Sequence, residues 1–100
     1  MSSRSPFPAV YIMASRPFGV LYVGVMNDLH RRVYEHQEGL LRGFTLEHAC
    51  KMLVWYEPHE MMVEAILREK RIKRWRRAWK FELIEQMNEV WTDLSLTLNQ

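Results

Sequence analysis

The alternation of apolar and polar residues predicts three strands along the chain. Ala9–Ala14, Val20–Val25 and Lys51–Glu57 are short apolar runs rich in residues that favour extended structure. The segment Ser15–Gly19, between the first two runs, contains a proline and a glycine and is typical of a turn. We therefore expect the first two strands to form an antiparallel hairpin.

A first helix is predicted between the second and third strands. Asn27 or Asp28 can cap its N-terminus, and its apolar spacing continues to about Gln37. Gly39 can end it, because glycine readily adopts the left-handed conformation that follows many helices. Residues 40–49, which come next, are expected to form a loop, or a loop with a short turn of helix.

Two further helices complete the predicted fold. One begins near Glu60 and the other covers about Ala78–Met87, with a break near Trp75–Arg77. The resulting order, β-β-α-β-α-α, predicts an α+β fold in which helices flank a small three-stranded antiparallel sheet.

The length and composition limit the architecture. One hundred residues are enough for one modest core, so we expect a single domain at 9–91, a flexible arm at 1–8 and a C-terminal tail at 92–100. A content of 48% hydrophobic and 26% charged residues is typical of a globular protein, and no apolar run approaches the roughly 18 residues of a membrane span. The lone Cys50 excludes an intrachain disulfide and favours the reducing cytoplasm.

Three polar side chains fall on helix faces that are otherwise apolar. In the second helix the stripe that includes Ala65 and Ile72 passes through Glu69. In the first helix, Arg32 and His36 lie one turn apart, on or beside the apolar stripe. Because an unpaired buried charge is very unfavourable, the pattern indicates either a catalytic pocket or a buried Glu69–Arg32 ion pair.

Two tyrosines occupy the predicted hairpin. Tyr11 and Tyr22 can come close if they share a face, in a region that we expect the helices of Arg32 and Glu69 to cover. Gly24 lies on the same face of its strand as Tyr22 and would let a ligand or another backbone approach. Either tyrosine taken singly is more often an ordinary packing residue with a hydrogen bond.

Positive charge is concentrated in one stretch of the chain. Residues 68–80 contain eight basic residues and one acid, a charge of +7, whereas the whole chain carries +2. Such a block on an otherwise acidic protein favours an anionic polymer as partner, although a solvated helix face explains it equally well. The candidate DNA-binding residues are Arg31, Lys70, Arg71, Lys73, Arg74, Arg76 and Arg77.

Four segments, in order and at matching spacing, resemble the signature of the GIY-YIG nuclease family. The likeness covers most of the chain and is closest to small stand-alone bacterial members. Ala9 and Val10 replace the glycine and isoleucine of the first motif, and Asn88 is too far from the glutamate to match an asparagine that several members carry. The four segments are Ala9–Tyr11, Tyr22–Gly24, Asn27–His36 and Ala65–Lys73.

The resemblance implies metal-dependent hydrolysis of DNA phosphodiester bonds. It implies that Glu69 binds one divalent cation, Mg²⁺ or Mn²⁺, and that Arg32 contacts the scissile phosphate. It makes Tyr22 the candidate base for the attacking water, with Tyr11 and His36 assisting. A fixed cation and a guanidinium fork are the groups that stabilise a phosphodiester transition state.

The partners and setting follow from the same resemblance. DNA is the expected partner, without a membrane or a small organic cofactor, and the protein can be a monomer or a homodimer. The expected context is DNA repair or recombination. The alternative function is a DNA-binding module of the same fold with little or no turnover.

Overall fold

A computed structural model of the chain describes residues 7–39 and 49–98. Its elements follow the predicted β-β-α-β-α-α order and end with an additional short helix. Residues 1–6 of the predicted arm and residues 40–48 of the predicted loop lie outside this description. The strands are β1 (Ala9–Ala14), β2 (Leu21–Met26) and β3 (Met52–Pro58), and the helices are α1 (Leu29–Gln37), α2 (Met62–Arg74), α3 (Arg77–Met87) and α4 (Ser95–Leu98).

The three strands form one antiparallel sheet in the order β2-β1-β3. The central strand, β1, is buried along its whole length because both of its faces are covered. The edge strand β2 joins it through the predicted hairpin, in which Tyr11 lies directly opposite Gly24. The predicted α+β fold with a small antiparallel sheet is confirmed.

Alternate residues of β1 supply two separate cores. The face that carries Tyr11 and Met13 packs against α1. The face that carries Val10 and Ile12 packs against α2 and α3. The helices α1, which carries Arg32, and α2, which carries Glu69, therefore lie on opposite faces of the sheet. The expectation that both helices cover one region of the sheet is wrong. An apolar stripe fixes which side of a helix is buried, but it carries no information on which face of the sheet receives it.

The ends of α1 lie where the sequence predicts them. The Asp28 carboxylate accepts a hydrogen bond from the Arg31 backbone N–H at 3.3 Å and caps the helix. Gly39 follows the last turn with a φ of 70°, which a residue with a side chain rarely adopts. The break between α2 and α3 also falls within the predicted segment, at Trp75 and Arg76.

The residues predicted as a C-terminal tail pack against the domain as far as Leu98. The Asp93 carboxylate accepts a hydrogen bond from the Leu53 backbone N–H at 3.1 Å, which fixes the segment beside β3. Gln37 of α1 donates to the Ser95 hydroxyl at 2.9 Å. These contacts place α4 beside α1. None of the helices in the described ranges is both long and apolar enough to cross a bilayer.

Candidate active site

Two phenols and an imidazole meet on the α1 side of the sheet. The ring centroids of Tyr11 and Tyr22 are 6.2 Å apart. The imidazole of His36 lies 5.6 Å from the first ring and 5.1 Å from the second, measured between centroids. Its Nε2 atom is 3.1 Å from the Tyr11 hydroxyl oxygen, which is hydrogen-bonding distance. The hairpin and α1 therefore bring together three of the predicted site residues, Tyr11, Tyr22 and His36, which form an aromatic cluster.

Gly24 makes room for one of these rings. A Cβ atom at this position would approach three atoms of the Tyr11 side chain to less than 3.0 Å, including the hydroxyl oxygen. The sequence predicts that the missing side chain admits a ligand or another backbone. That expectation is wrong, because the side chain of Tyr11, on the opposite strand of the hairpin, fills the space.

Arg32 lies on α1, close enough for its charge to act on Tyr11 and His36. Its Nη2 donates to the Met26 thioether at 3.2 Å, and a thioether is a weak acceptor. Its Nε lies 3.2 Å from a Glu35 carboxylate oxygen, but the two groups are not aligned for a hydrogen bond. This buried N–H therefore has no hydrogen-bond acceptor among residues 7–39 and 49–98. The guanidinium retains capacity for an anionic partner.

Burial decides the protonation of Tyr11 and His36. The pKa of the Tyr11 phenol is raised, first by desolvation and then by the neighbouring Tyr22, while the nearby Arg32 charge partly opposes the rise. Desolvation, helped by the Arg32 charge, lowers the pKa of His36 to about 4. Both groups are therefore neutral near pH 7. The Nδ1 atom of His36 is buried and, in the part of the chain that the structure describes, makes no hydrogen bond.

The buried imidazole makes the free energy of unfolding depend on pH. His36 titrates near pH 6.5 in the unfolded chain and near 4 in the folded protein, so between these values only the unfolded chain takes up the proton. We expect the free energy of unfolding to fall by up to about 3 kcal/mol as the pH drops through this range. Urea unfolding of the wild type and of His36→Gln measures it, and the variant should lack this part of the loss. An equal pH-dependent loss in both proteins would contradict a buried neutral imidazole.

Glu69 is buried as the helical stripe predicts, with 8% of its surface exposed. Its carboxylate pairs with the Lys73 ammonium one turn later, at 2.5 Å. The alternative of a buried Glu69–Arg32 ion pair is therefore wrong, since Arg32 instead lies beside Glu35 on α1. The two helices are on opposite faces of the sheet, which explains why the pair does not form. The i,i+4 spacing of Glu69 and Lys73 is the sequence signal for this ion pair.

The edge strand β2 lies between the aromatic cluster and the helix of Glu69. The helix α2 packs against β1 and β2. A shallow hollow of about 290 Å³ beside β2 is lined by Tyr22, by Lys73 of α2 and by Lys80 of α3, together with Leu21 and Val23. Tyr22 thus belongs to the aromatic cluster and also borders this hollow. Lys73, which pairs with Glu69, lines the same hollow. The edge strand β2 is therefore the part of the sheet that connects the predicted site residues on α1 with Glu69 on α2.

Glu69 can supply one carboxylate ligand to a metal ion, and the other ligands would have to come from water and substrate. No group of three or more histidine, cysteine, aspartate or glutamate side chains suited to a metal occurs among the described residues. A single carboxylate is nevertheless enough for Mg²⁺ when water and substrate phosphates complete its shell. The exposed Lys73 ammonium would have to move away from the carboxylate. With that movement, Glu69 suits a hard cation that binds together with its substrate.

The predicted DNA-binding residues are exposed but differ in how firmly they are held. Arg31 points to solvent, and Lys70, Arg71 and Arg74 line a groove along the outer face of α2. Arg77 is engaged within the fold, because its guanidinium donates to the backbone carbonyl of Phe18 at 2.8 Å and to the next carbonyl of the hairpin turn. The remaining two, Lys73 and Arg76, are also exposed.

Asn88, whose spacing from Glu69 does not match the asparagine of the family pattern, has a structural role. Its side-chain amide is buried and donates to the Val54 carbonyl at 3.1 Å and to the Thr92 carbonyl at 2.8 Å. Its carbonyl oxygen accepts from the Thr92 backbone N–H at 2.9 Å. These bonds fix the turn after α3 against β3, so the amide is committed to the fold.

Comparison with known proteins assigns the chain to a family. The family model for the GIY-YIG catalytic domain matches residues 7–82, about three quarters of the chain. The chain belongs to the GIY-YIG family. UPF0213 proteins of Staphylococcus aureus strains Mu3, Mu50 and N315 are each 35% identical to it over 68 residues, which cover 68% of this chain and 83% of the relative. No solved structure matches the chain significantly.

The GIY-YIG match contains the aromatic cluster and both predicted charged site residues. It begins before β1 and ends within α3, so it includes every position from Tyr11 to Glu69 and excludes Asn88. The predicted resemblance to small single-domain bacterial members of the GIY-YIG family is confirmed. Membership implies a nuclease activity.

Proposed function

We propose that this protein is a metal-dependent endonuclease that hydrolyses phosphodiester bonds of DNA. The observation that carries the proposal is the state of Arg32. A buried N–H of a guanidinium without a hydrogen-bond acceptor is costly, and a bound phosphate would supply the missing acceptor. The guanidinium lies in the GIY-YIG domain beside two phenols and an imidazole, groups that can position water and move protons.

Arg32 holds the scissile phosphate in this mechanism. Its planar fork can form two parallel hydrogen bonds to phosphate oxygens, which fixes the orientation of the phosphorus for attack. As water attacks, negative charge accumulates on those oxygens. The guanidinium then gains more from the transition state than from the substrate, and this difference accelerates hydrolysis.

Tyr22 is the candidate base for the attacking water. A general base must meet the water that it activates, and Tyr22 is half-buried and borders an open hollow. Tyr11 is fully buried with a raised pKa, so it keeps its proton. The Tyr11 hydroxyl oxygen and Nε2 of the neutral His36 are 3.1 Å apart, and both rings pack against the ring of Tyr22. They are positioning residues in this assignment.

Glu69 is the candidate ligand for a divalent cation, Mg²⁺ or Mn²⁺. Such a cation, when bound there, would neutralise negative charge on the phosphate and on the leaving oxygen. Glu69 provides a carboxylate that α2 holds in place and that is partly shielded from water. The side chain that must leave, Lys73, is long and exposed, so its displacement requires no change in the backbone.

The exposed basic face of α2 would bind the DNA backbone. Lys70, Arg71 and Arg74 line one groove. Their contacts to phosphates would not distinguish DNA sequences, because the phosphate is the same in every nucleotide. Binding through such groups releases counterions, so the affinity should fall steeply as salt is raised. A cytoplasmic location is consistent with the free, buried thiol of Cys50.

Incubation with plasmid, single-stranded and branched DNA tests the proposal. We expect cleavage of at least one of these substrates in Mg²⁺ or Mn²⁺ and none in EDTA, because the charge on the phosphate is not neutralised without a cation. Gel analysis of the products distinguishes internal cuts from the removal of terminal nucleotides. Absence of cleavage with every substrate and both metals, by protein that binds the same DNA, would contradict the proposal.

The second candidate function is a DNA-binding module of the same fold with little turnover. The Glu69–Lys73 ion pair favours it, since an ammonium on the carboxylate competes with a cation. In this case the protein would bind all three substrates in a salt-dependent manner and cut none. The same assay therefore separates the two functions, provided that binding is measured in parallel.

A further inference from the structure

A groove between α2 and α3 is lined by aromatic, charged and amide side chains that the proposed cleavage site does not use. Its volume of about 350 Å³ lies near the lower limit for ligand sites, roughly 300–1,000 Å³. The rings of Trp75 and Trp79 stand edge to face in the groove, with their centroids 6.2 Å apart. The other lining residues are Arg68, Glu82, Leu83 and Gln86.

Trp79 differs from a tryptophan that serves only to pack the fold. It exposes 47% of its surface, whereas Trp91 exposes 3% and packs in the main core. The indole N–H of Trp91 donates to the Glu85 carboxylate at 2.9 Å, as buried indoles usually do. The structure thus contains a packing tryptophan for comparison, and Trp79 does not resemble it. Its exposed ring is available to a flat partner.

Two guanidinium groups bring positive charge to these rings. The Arg76 guanidinium lies over the Trp79 ring, 4.9 Å from its centroid. The Arg68 guanidinium lies over the Trp75 ring, 5.5 Å from its centroid. Its Nε also donates a hydrogen bond to the Glu57 carboxylate at 3.1 Å. These cation–π contacts hold the rings in place. The exposed basic residues of α2 continue the positive charge along the adjacent helix.

We propose that this groove binds an unpaired base of a DNA strand, stacked on Trp79, with Arg76 beside the adjoining phosphate. Every base has an aromatic face, so stacking on an exposed indole requires no particular sequence. The positive charge next to the ring matches the phosphate to which the base is attached. The choice of DNA as the polymer rests on the proposed function, whereas the groove and its aromatic ring do not.

The polar groups of the groove suit the edge of such a base. Glu82 and Gln86 lie one turn apart on α3 and both line the groove. The Gln86 amide can donate and accept hydrogen bonds, and the Glu82 carboxylate can accept them. In a duplex the bases are stacked and paired, so their faces cannot reach the ring. The groove therefore favours a single-stranded segment as substrate.

Equilibrium binding of two strands of equal charge tests the proposal. One is a thymidine 12-mer, and the other is a 12-mer of abasic sites that has the same phosphates and no bases. Fluorescence anisotropy in EDTA measures both affinities without cleavage. We expect the wild type to bind the thymidine strand about 5- to 100-fold more tightly, the range for stacking one base on an aromatic side chain. Trp79→Ala should lose this preference and bind the abasic strand as the wild type does.

Met87→Ala is the matched control, because Met87 lies on the same helix, exposes 47% of its surface and does not line the groove. It should keep the preference. Equal affinity of the wild type for the two strands would overturn the proposal without any variant, as would an unchanged preference in Trp79→Ala or in a Trp79→Leu replacement. A protein that cuts DNA without this preference would refute only the groove. A preference without cutting would refute only the nuclease assignment.

Discussion

Glu69→Gln is expected to reduce metal-dependent DNA cleavage by at least about a thousandfold, since a bound cation supplies several kcal/mol of transition-state stabilisation. The amide keeps the size of the side chain and can still accept a hydrogen bond from Lys73, but it lacks the charge that holds a hard cation. Single-turnover cleavage at fixed Mg²⁺ measures the effect. DNA affinity in EDTA should not fall, because without a cation the Glu69 carboxylate only repels the phosphate.

Glu64→Gln is the control for that experiment. Glu64 lies on the same helix, in its exposed first turn, and the substitution removes the same charge. It should leave the cleavage rate nearly unchanged. Thermal unfolding of both variants establishes that they remain folded under the assay conditions. Equal rates for the wild type and Glu69→Gln would remove Glu69 from the site.

Arg32→Ala is expected to lower the cleavage rate by about 100- to 1,000-fold, the usual effect of removing one donor to a developing oxyanion. The loss should appear mainly in kcat, because the guanidinium gains most from the charge of the transition state. Its stability cost should be small, since its hydrogen bond to the Met26 thioether is weak and its Nε is misaligned with the Glu35 carboxylate. Cleavage kinetics and thermal unfolding together separate this result from a structural defect.

The neighbouring Arg31 provides the comparison. It has the same charge, lies on the same helix and points to solvent. Arg31→Ala should weaken DNA binding modestly and reduce the slope of log affinity against log salt by about 1, as for the loss of one phosphate contact. Its kcat should stay close to that of the wild type. Similar losses of kcat in the two variants would show that Arg32 acts only through general charge.

The elements of this fold could be predicted because their signals are local. The cap at Asp28, the stop at Gly39 and the break at Trp75 each depend on a few neighbouring residues. The burial of Glu69 followed from the period of one helix. The family signature likewise depends on short segments at fixed spacing, so the candidate residues could be named before their positions were known.

The arrangement of the site could not be predicted because it depends on tertiary packing. Nothing in either stripe determines that Arg32 and Glu69 approach the sheet from opposite faces. The space at Gly24 is used by a ring from the opposing strand, which a single-strand pattern cannot reveal. The sequence also does not distinguish the exposed Trp79, within α3, from the buried Trp91, because side-chain exposure is decided by tertiary packing.

We propose that Arg32 and Glu69, carried by helices on opposite faces of the sheet, act on one phosphate at the edge strand β2. The cleavage rate of the double variant Arg32→Ala/Glu69→Gln tests it most directly. Residues that act as a unit have strongly non-additive effects, so the double variant should cut only slightly more slowly than the slower single variant. If the fold-loss in rate of the double variant equals the product of the two single fold-losses, as for distant independent sites, the two residues do not act on a shared phosphate.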